Sequence, residues 1–224
     1  MRAPISIVIP TLDAASTLPD CLAALMPGLE RGLIRELIVS DGGSTDATVA
    51  IAKDWGANVL SGPASRGGQL RRGCAQALGD WLLILHADTV LGPEWIKAAQ
   101  THMATGQAGW FRLRFDQGGR WVARWANLRS RWFDLPYGDQ GVLLPRALYE
   151  TCGGYLDQPL MEDVALAWAL RGKLRPIEAM ATTSSERYRR DGWLKRGSRN
   201  LWILARYALG ADPSALARAY RRKR

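Results

Sequence analysis

Short β-branched runs alternate with longer helix-like stretches along the first hundred residues of this chain. Ser6-Ile7-Val8-Ile9 stops abruptly at Pro10-Thr11-Leu12-Asp13, and Leu37-Ile38-Val39 stops at Ser40-Asp41-Gly42-Gly43-Ser44-Thr45-Asp46. Apolar runs this short, bounded by turn formers, predict strands buried on both faces. Strands are expected over 5–9, 37–40, 58–60 and 81–85. Helices are expected between them: over 17–26 with Pro19 in the first turn, after a cap at Ser44 or Thr45, over 67–78 up to Gly79, and over 93–103. Strands separated by helix-length segments imply βαβ units and a mostly parallel central sheet flanked by helices, an α/β fold.

The regularity breaks after His102. Residues 107–115 read as a strand with Arg112 and Arg114 on a wet face, and 142–144 as another. Trp121, Trp125, Leu128 and Trp132 fall on one face of a helix, interleaved with Arg120, Arg124, Arg129 and Arg131. That face suits either a tryptophan-packed core or an apolar surface for a lipid acceptor, a bilayer or a base. A helix over 162–170 opens with Glu162 and Asp163. Two more, over 192–209 and 213–223, are split by Gly210-Ala211-Asp212-Pro213, a stop, a cap and a proline start.

Ligands of open α/β sheets bind outside the carboxyl ends of the strands. Asp13 and Asp41 fall there, beside Pro10, Thr11 and Gly42. Their carboxylates can accept hydrogen bonds from a base or a ribose, and glycine backbone can approach phosphates closely. A turn aspartate can equally satisfy its own backbone.

Two further motifs extend the pattern: His86-Ala87-Asp88-Thr89 after the fourth strand and Met161-Glu162-Asp163-Val164 at a helix start. In this order, over roughly residues 5 to 180, the four motifs resemble the family 2 glycosyltransferases, which have the GT-A fold. Gly138-Asp139-Gln140-Gly141 and the basic tail after Arg187 are similar to the small bacterial branch called rSAM/selenodomain-associated transferases. The resemblance implies transfer of a sugar from a UDP- or GDP-sugar to a hydroxyl. It implies Asp13 and Asp41 for the nucleoside, with Pro10, Thr11, Gly42 and Arg66 nearby, and Arg187 for the diphosphate. Asp88 stands where the family holds a divalent cation, Mn²⁺ or Mg²⁺, and His86 replaces the first acid of the usual Asp-x-Asp. Asp163 would be the general base with Glu162 as helper, and Asp139 and Gln140 would face the acceptor.

Composition narrows the partners. Residues 1–186 carry 18 Lys and Arg against 19 Asp and Glu, whereas residues 187–224 carry 12 against only Asp191 and Asp212. The net charge of +9 therefore belongs to the tail. The chain reads as a catalytic domain over 1–186 with a basic helical extension over 187–224. Such an extension suits an anionic membrane surface and an amphiphilic acceptor, with no nucleic acid expected. Three scattered cysteines and an N-terminus running straight into a strand point to the cytoplasm, with peripheral attachment to the inner membrane face as a further option. No apolar run approaches the ~20 residues of a membrane span. Two other classes compete: a nucleotidyltransferase-like or dinucleotide-binding enzyme, and a non-catalytic binder acting through its tail. Against the first, no Gly-x-Gly-x-x-Gly follows the first strand and no P-loop is present. Against the second, the tail alone would not require acids along one sheet edge.

Overall fold

The computed structural model describes residues 2–221. Its centre is one eight-stranded sheet. The first half is built of βαβ units: β1 (Ile5–Thr11), α1 (Leu18–Ala23), α2 (Met26–Glu30), β2 (Ile34–Asp41), α3 (Thr48–Asp54), β3 (Asn58–Ser61), α4 (Arg66–Ala75) and β4 (Trp81–Ile84). These four strands lie parallel in the order β3-β2-β1-β4. The second half runs β5 (Thr89–Leu91), α5 (Trp95–Met103), β6 (Ala108–Phe115), α6 (Arg120–Phe133), β7 (Val142–Pro145), α7 (Arg146–Thr151), α8 (Glu162–Ala169) and β8 (Leu174–Thr183). It is mixed: β7 is antiparallel to both β4 and β6, β8 is parallel to β6, and β5 closes the edge antiparallel to β8. The α/β expectation holds, and the sheet stops being parallel at β4.

Topology decides what meets at the functional edge. Ile84 at the end of β4 pairs with Val142 at the start of β7. The turn before β7 therefore lies beside His86 to Asp88. Phe115 and Thr89 both pair with Thr183, so the ends of β6 and β8 and the start of β5 share that edge. Every residue of β1 is buried. Ile5, Ile7 and Ile9 pack with Leu18, Leu22 and Trp95 on one face of the sheet. Val8 packs with Leu70, Leu82 and Val164 on the other. This two-sided burial explains why the strands read as continuous apolar runs.

The departures have local causes. The helix expected over 17–26 breaks in two, because Pro27 has no N–H to continue it and starts α2 instead. Ser44 and Thr45 do not cap α3; Asp46 accepts from the Thr48 amide at 3.0 Å, while Ser44 turns to Asp41. α4 ends at Ala75, short of 78. β5 and α7, at 3 and 6 residues, were too short to show a period. The tryptophan face of α6 is not core: Trp121, Trp125 and Trp132 are exposed, and Val122, Ala123, Ala126 and Ser130 are buried instead.

Three helices follow β8: α9 (Glu186–Asp191), α10 (Trp193–Ala208) and α11 (Pro213–Arg221). The end of the helix expected over 213–223 lies outside the described residues. These helices pack on the sheet layer. Phe115 meets Tyr188 and Trp193 edge-on, with ring centroids 5.0 and 5.1 Å apart. Tyr207 stacks on Trp168 at 5.2 Å, and its hydroxyl accepts from Gln158. Arg196 is buried between Asp191 and Tyr220. A boundary at 186/187 thus divides residues that share one apolar cluster, Leu113, Phe115 and Val122 with Tyr188 and Trp193. No described helix is long and apolar enough to cross a membrane.

Candidate active site

The first half of the site is the paired turn after β1 and β2. Thr11 and Asp41 face each other in register, and the Thr11 hydroxyl donates to Asp41 Oδ1 at 2.9 Å. Asp41 Oδ2 accepts from the amides of Gly43 and Ser44, both at 2.8 Å, and Oδ1 also accepts from the Ser44 hydroxyl. Four donors fill the carboxylate's acceptor sites. Partial burial pushes this carboxyl up, but the bonds from Ser44, Gly43 and Thr11 outweigh it and hold it below its usual range. Asp41 is therefore the anchor that shapes the turn. Asp13 sits opposite in a left-handed conformation with φ 49°; it is exposed, and its Oδ1 accepts from the Thr45 amide at 2.8 Å. The Ser44 hydroxyl links the two turns, accepting from the Asp13 amide and donating to Asp41. Two side chains of α4 tie the strand ends from beneath: Gln69 donates to the Thr11 and Ser40 carbonyls, and Arg72 to that of Asp41. The sequence marks Ser44 only as a helix cap and Arg72 only as part of a basic helix, and it gives no sign of Gln69.

The second half gathers acids around one arginine. Arg66 opens α4, and its guanidinium lies 3.6 Å from buried Glu162 at the start of α8. Burial pushes the Arg66 pKa down, but Glu162, Asp163, Asp88 and Asp139 together raise it. Four of the six acids singled out in the sequence thus act on one cation. Gly67 makes this possible: a Cβ there would strike the Leu156 carbonyl and the Gln158 backbone, so only glycine lets α4 start this close. Asp163 accepts from the Gly138 amide and from the Val164 amide, each at 2.8 Å. The first bond joins α8 to the short 3₁₀ turn Gly138–Gln140.

Within that turn the two predicted acceptor residues part company. Gln140 is fully buried; it accepts from Ser130 at 2.6 Å and donates to the Phe111 carbonyl and Asn127. Its side chain pins the turn to α6 and β6. Asp139 keeps a buried Oδ1 without a partner among the described residues. Burial, reinforced by Asp163 and Asp88 against the pull of Arg129, pushes its pKa up to about 6.

His86 packs its Nε2 side against Gly138, where a Cβ would overlap the ring. Burial, Arg66 and Arg187 all lower its pKa, so it is neutral at physiological pH. Asp88 is partly exposed beside it and adds its field to Arg66 and Asp139. Arg187, on α9, acts on His86 from the end of β8.

Burial pushes Glu162 up to about 7, and Asp163 pushes the same way, while Arg66 opposes both. The folded value lies above the unfolded one of 4.5, so the stability linked to this group is full below pH 4.5 and lost as pH rises through 7. Glu162→Gln removes the buried charge. Its melting temperature should exceed that of the parent at pH 8, by roughly 1–3 kcal/mol at about 2–4 °C per kcal/mol, and nearly match it at pH 5. Melts of metal-free protein at the two pH values test this; an equal difference at both would refute it.

Comparison with known proteins places the chain in a family. The model of the family described as Glycosyl transferase family 2 matches residues 6–156, more than half of the chain. A protein of Mycobacterium bovis named PGL/p-HBAD biosynthesis glycosyltransferase is 38% identical over 99 residues, 41% of this chain and 38% of that one. The glucosyl-3-phosphoglycerate synthase of Mycolicibacterium paratuberculosis is 35% identical over 95 residues, 38% of this chain and 29% of that one. The chain thus spans well under half the length of these curated relatives. Among solved structures, residues 1–349 of S. aureus TarS align with a TM-score of 0.66 at 16% identity, over 81% of this chain and 60% of that one. Glucosyl-3-phosphoglycerate synthase from Mycobacterium tuberculosis, in complex with Mn²⁺, UDP and glucosyl-3-phosphoglycerate, aligns with a TM-score of 0.57 at 22% identity, over 81% and 70%. These likenesses agree with a GT-A fold. By its sequence, the chain belongs to glycosyl transferase family 2.

Proposed function

We propose that the protein is an inverting transferase that moves a sugar from a UDP- or GDP-sugar to a hydroxyl acceptor. The observation that carries this reading is the gathering of Asp88, Asp139, Glu162 and Asp163 around Arg66, next to the Asp13 and Asp41 turns. The nucleoside lies against Pro10, Thr11, Asp13 and the Gly42 backbone, in the turn that Asp41 shapes. Arg66 and Arg187 meet the diphosphate. Asp163 accepts the proton of the attacking hydroxyl. The acceptor oxygen bonds to the anomeric carbon as the carbon–oxygen bond to the diphosphate breaks, and the nucleoside diphosphate leaves with the electron pair. Glu162 supports Asp163 by sharing its charge with Arg66.

A divalent cation would spread the charge of that leaving group. Among the described residues, no group of three His, Cys, Asp or Glu side chains could hold a metal ion. The donor set fits a different case. Mg²⁺-type sites commonly use one or two carboxylates with substrate phosphates, and Asp88 is a partly exposed carboxylate beside the proposed diphosphate position. Asp88 would hold Mn²⁺ or Mg²⁺ together with the donor. His86 packs its Nε2 side against Gly138.

Calorimetry separates the alternatives. UDP or GDP should bind wild-type protein at least tenfold more tightly with Mn²⁺ than with EDTA, and Asp88→Ala should erase the difference. Equal binding with and without metal would end the metal assignment. Hydrolysis of a panel of UDP- and GDP-sugars then identifies the donor, and failure to bind any nucleoside diphosphate would end the transferase reading.

A further inference from the structure

We infer that the groove between α6 and α10 is the acceptor subsite, and that it takes an amphiphilic alcohol: a hydroxyl-bearing head on an alkyl body. This rests on the transferase reading and names the acceptor class it leaves open. The groove encloses about 250 Å³. Trp121 and Trp125 from α6 and Leu194 and Leu201 from α10 form its walls, over Leu113 and Tyr188. The four wall residues are 55%, 46%, 75% and 46% exposed. Four large apolar side chains around one concavity leave a surface that soluble proteins seldom expose without a ligand.

The same groove has a polar part. Arg129, Tyr137 and Asp139 all line it. The Arg129 guanidinium lies 3.5 Å from the Tyr137 ring centroid, and Arg129 acts electrostatically on both Tyr137 and Asp139. Arg129 is over nine-tenths buried. Among the described residues, its Nη2, the Tyr137 hydroxyl and Asp139 Oδ1 are buried without a hydrogen-bond partner. Buried polar groups are rarely left unpaired. The three comprise a donor, a hydroxyl and an acceptor. A substrate hydroxyl matches them: its oxygen accepts from Arg129, and its hydrogen goes to Asp139. Position supports the assignment, since the amide of Gly138, between Tyr137 and Asp139, donates to Asp163. The polar part of the groove therefore borders the proposed base, and its apolar walls lead away from it. A free sugar would fill the polar part and leave the walls bare.

The probe is n-octyl β-D-glucoside, used below its micelle-forming concentration, with glucose as the matched head group. Calorimetry on the full chain should show octyl glucoside binding at least tenfold more tightly than glucose. Leu201→Asp and Leu194→Asp place a charge on the wall at exposed positions and should each weaken octyl glucoside binding about tenfold or more without lowering the melting temperature. Leu209→Asp, at an 88% exposed position outside the groove, should leave it unchanged. Equal affinity for glucose and octyl glucoside overturns the inference. So does octyl glucoside binding that neither wall variant weakens. Release of UDP or GDP from nucleotide sugars in the absence of acceptor tests the transferase reading by itself. Octyl glucoside binding that depends on Leu201, in a protein that binds and hydrolyses no nucleotide sugar, leaves an amphiphile-binding groove but overturns its role as an acceptor subsite. Donor hydrolysis without such binding refutes the subsite alone.

Discussion

Asp163→Asn should lose transfer activity by ~10²–10⁴-fold, the usual consequence of removing a general base, while the fold and the affinity for nucleoside diphosphate change little. The geometry explains why the effect falls on chemistry. Asp163 spends one acceptor site of each carboxylate oxygen on a backbone amide, Gly138 on one side and Val164 on the other. A carboxylate has about four such sites, so room is left for a substrate hydroxyl. The start of α8 favours an anion at this place. Glu162 beside it is buried, paired with Arg66 and pushed up to about 7, whereas Asp163 is only half-buried and keeps acceptor sites to spare. Asparagine keeps the oxygen that accepts from Gly138 but cannot take a proton at neutral pH. The measurements are turnover with the best donor found, the melting temperature, and nucleoside diphosphate affinity. A variant that keeps more than a tenth of wild-type turnover would move the base to Asp139, whose buried Oδ1 has no partner among the described residues.

The parts of this site that the sequence revealed are those where one residue type does one job at a strand end. Asp13, Asp41 and Asp88 follow apolar runs directly, and a parallel sheet sends all such ends to one edge. Glu162 and Asp163 stand at a helix start for the same reason of chain direction. What the pattern could not show is which acids share a cation. Arg66 and Glu162 are 96 positions apart, and they meet because Gly67 lets α4 dock on the backbone around Leu156 and Gln158. Nor could it tell a buried amide from an exposed one. The resemblance sets Asp139 and Gln140 together at the acceptor side; in the fold Gln140 is buried and bonded to Ser130 and Asn127. The tryptophans of α6 left two readings open, core or apolar surface, and the structure exposes them. Their spacing marks one face of a helix, but periodicity alone does not say which face is inside. Smaller residues, Ala123, Ala126 and Ser130, take the inside because α6 lies close against β6, where Asn127 holds both the Leu113 amide and its carbonyl.

Truncation after Glu186 tests whether the basic tail is an appendage or part of the fold, and the expected result is a protein that melts at least 10 °C lower or without cooperativity. Charge alone suggested a separable extension. Its residues also pack on the core. Removing Tyr188 and Trp193 strips two aromatic partners from Phe115 and uncovers Leu113 and Val122. Removing Leu204 and Tyr207 strips packing from the core cluster containing Val164 and Leu166, and takes the ring stacked on Trp168. Burying one large side chain contributes roughly 1.5–3 kcal/mol, so losing several such contacts amounts to several kcal/mol. At this chain length each kcal/mol shifts the melting temperature by about 2–4 °C. Three of the tail's twelve basic residues, Arg190, Arg196 and Arg199, lie within salt-bridge distance of Asp191. Arg189 reaches the other way, donating to Gln117 on the sheet layer at 2.8 Å. A truncated protein that melts cooperatively within about 2 °C of the full chain would show that these contacts do not stabilise the fold. The +10 balance of residues 187–224 would then be free to serve an anionic surface instead.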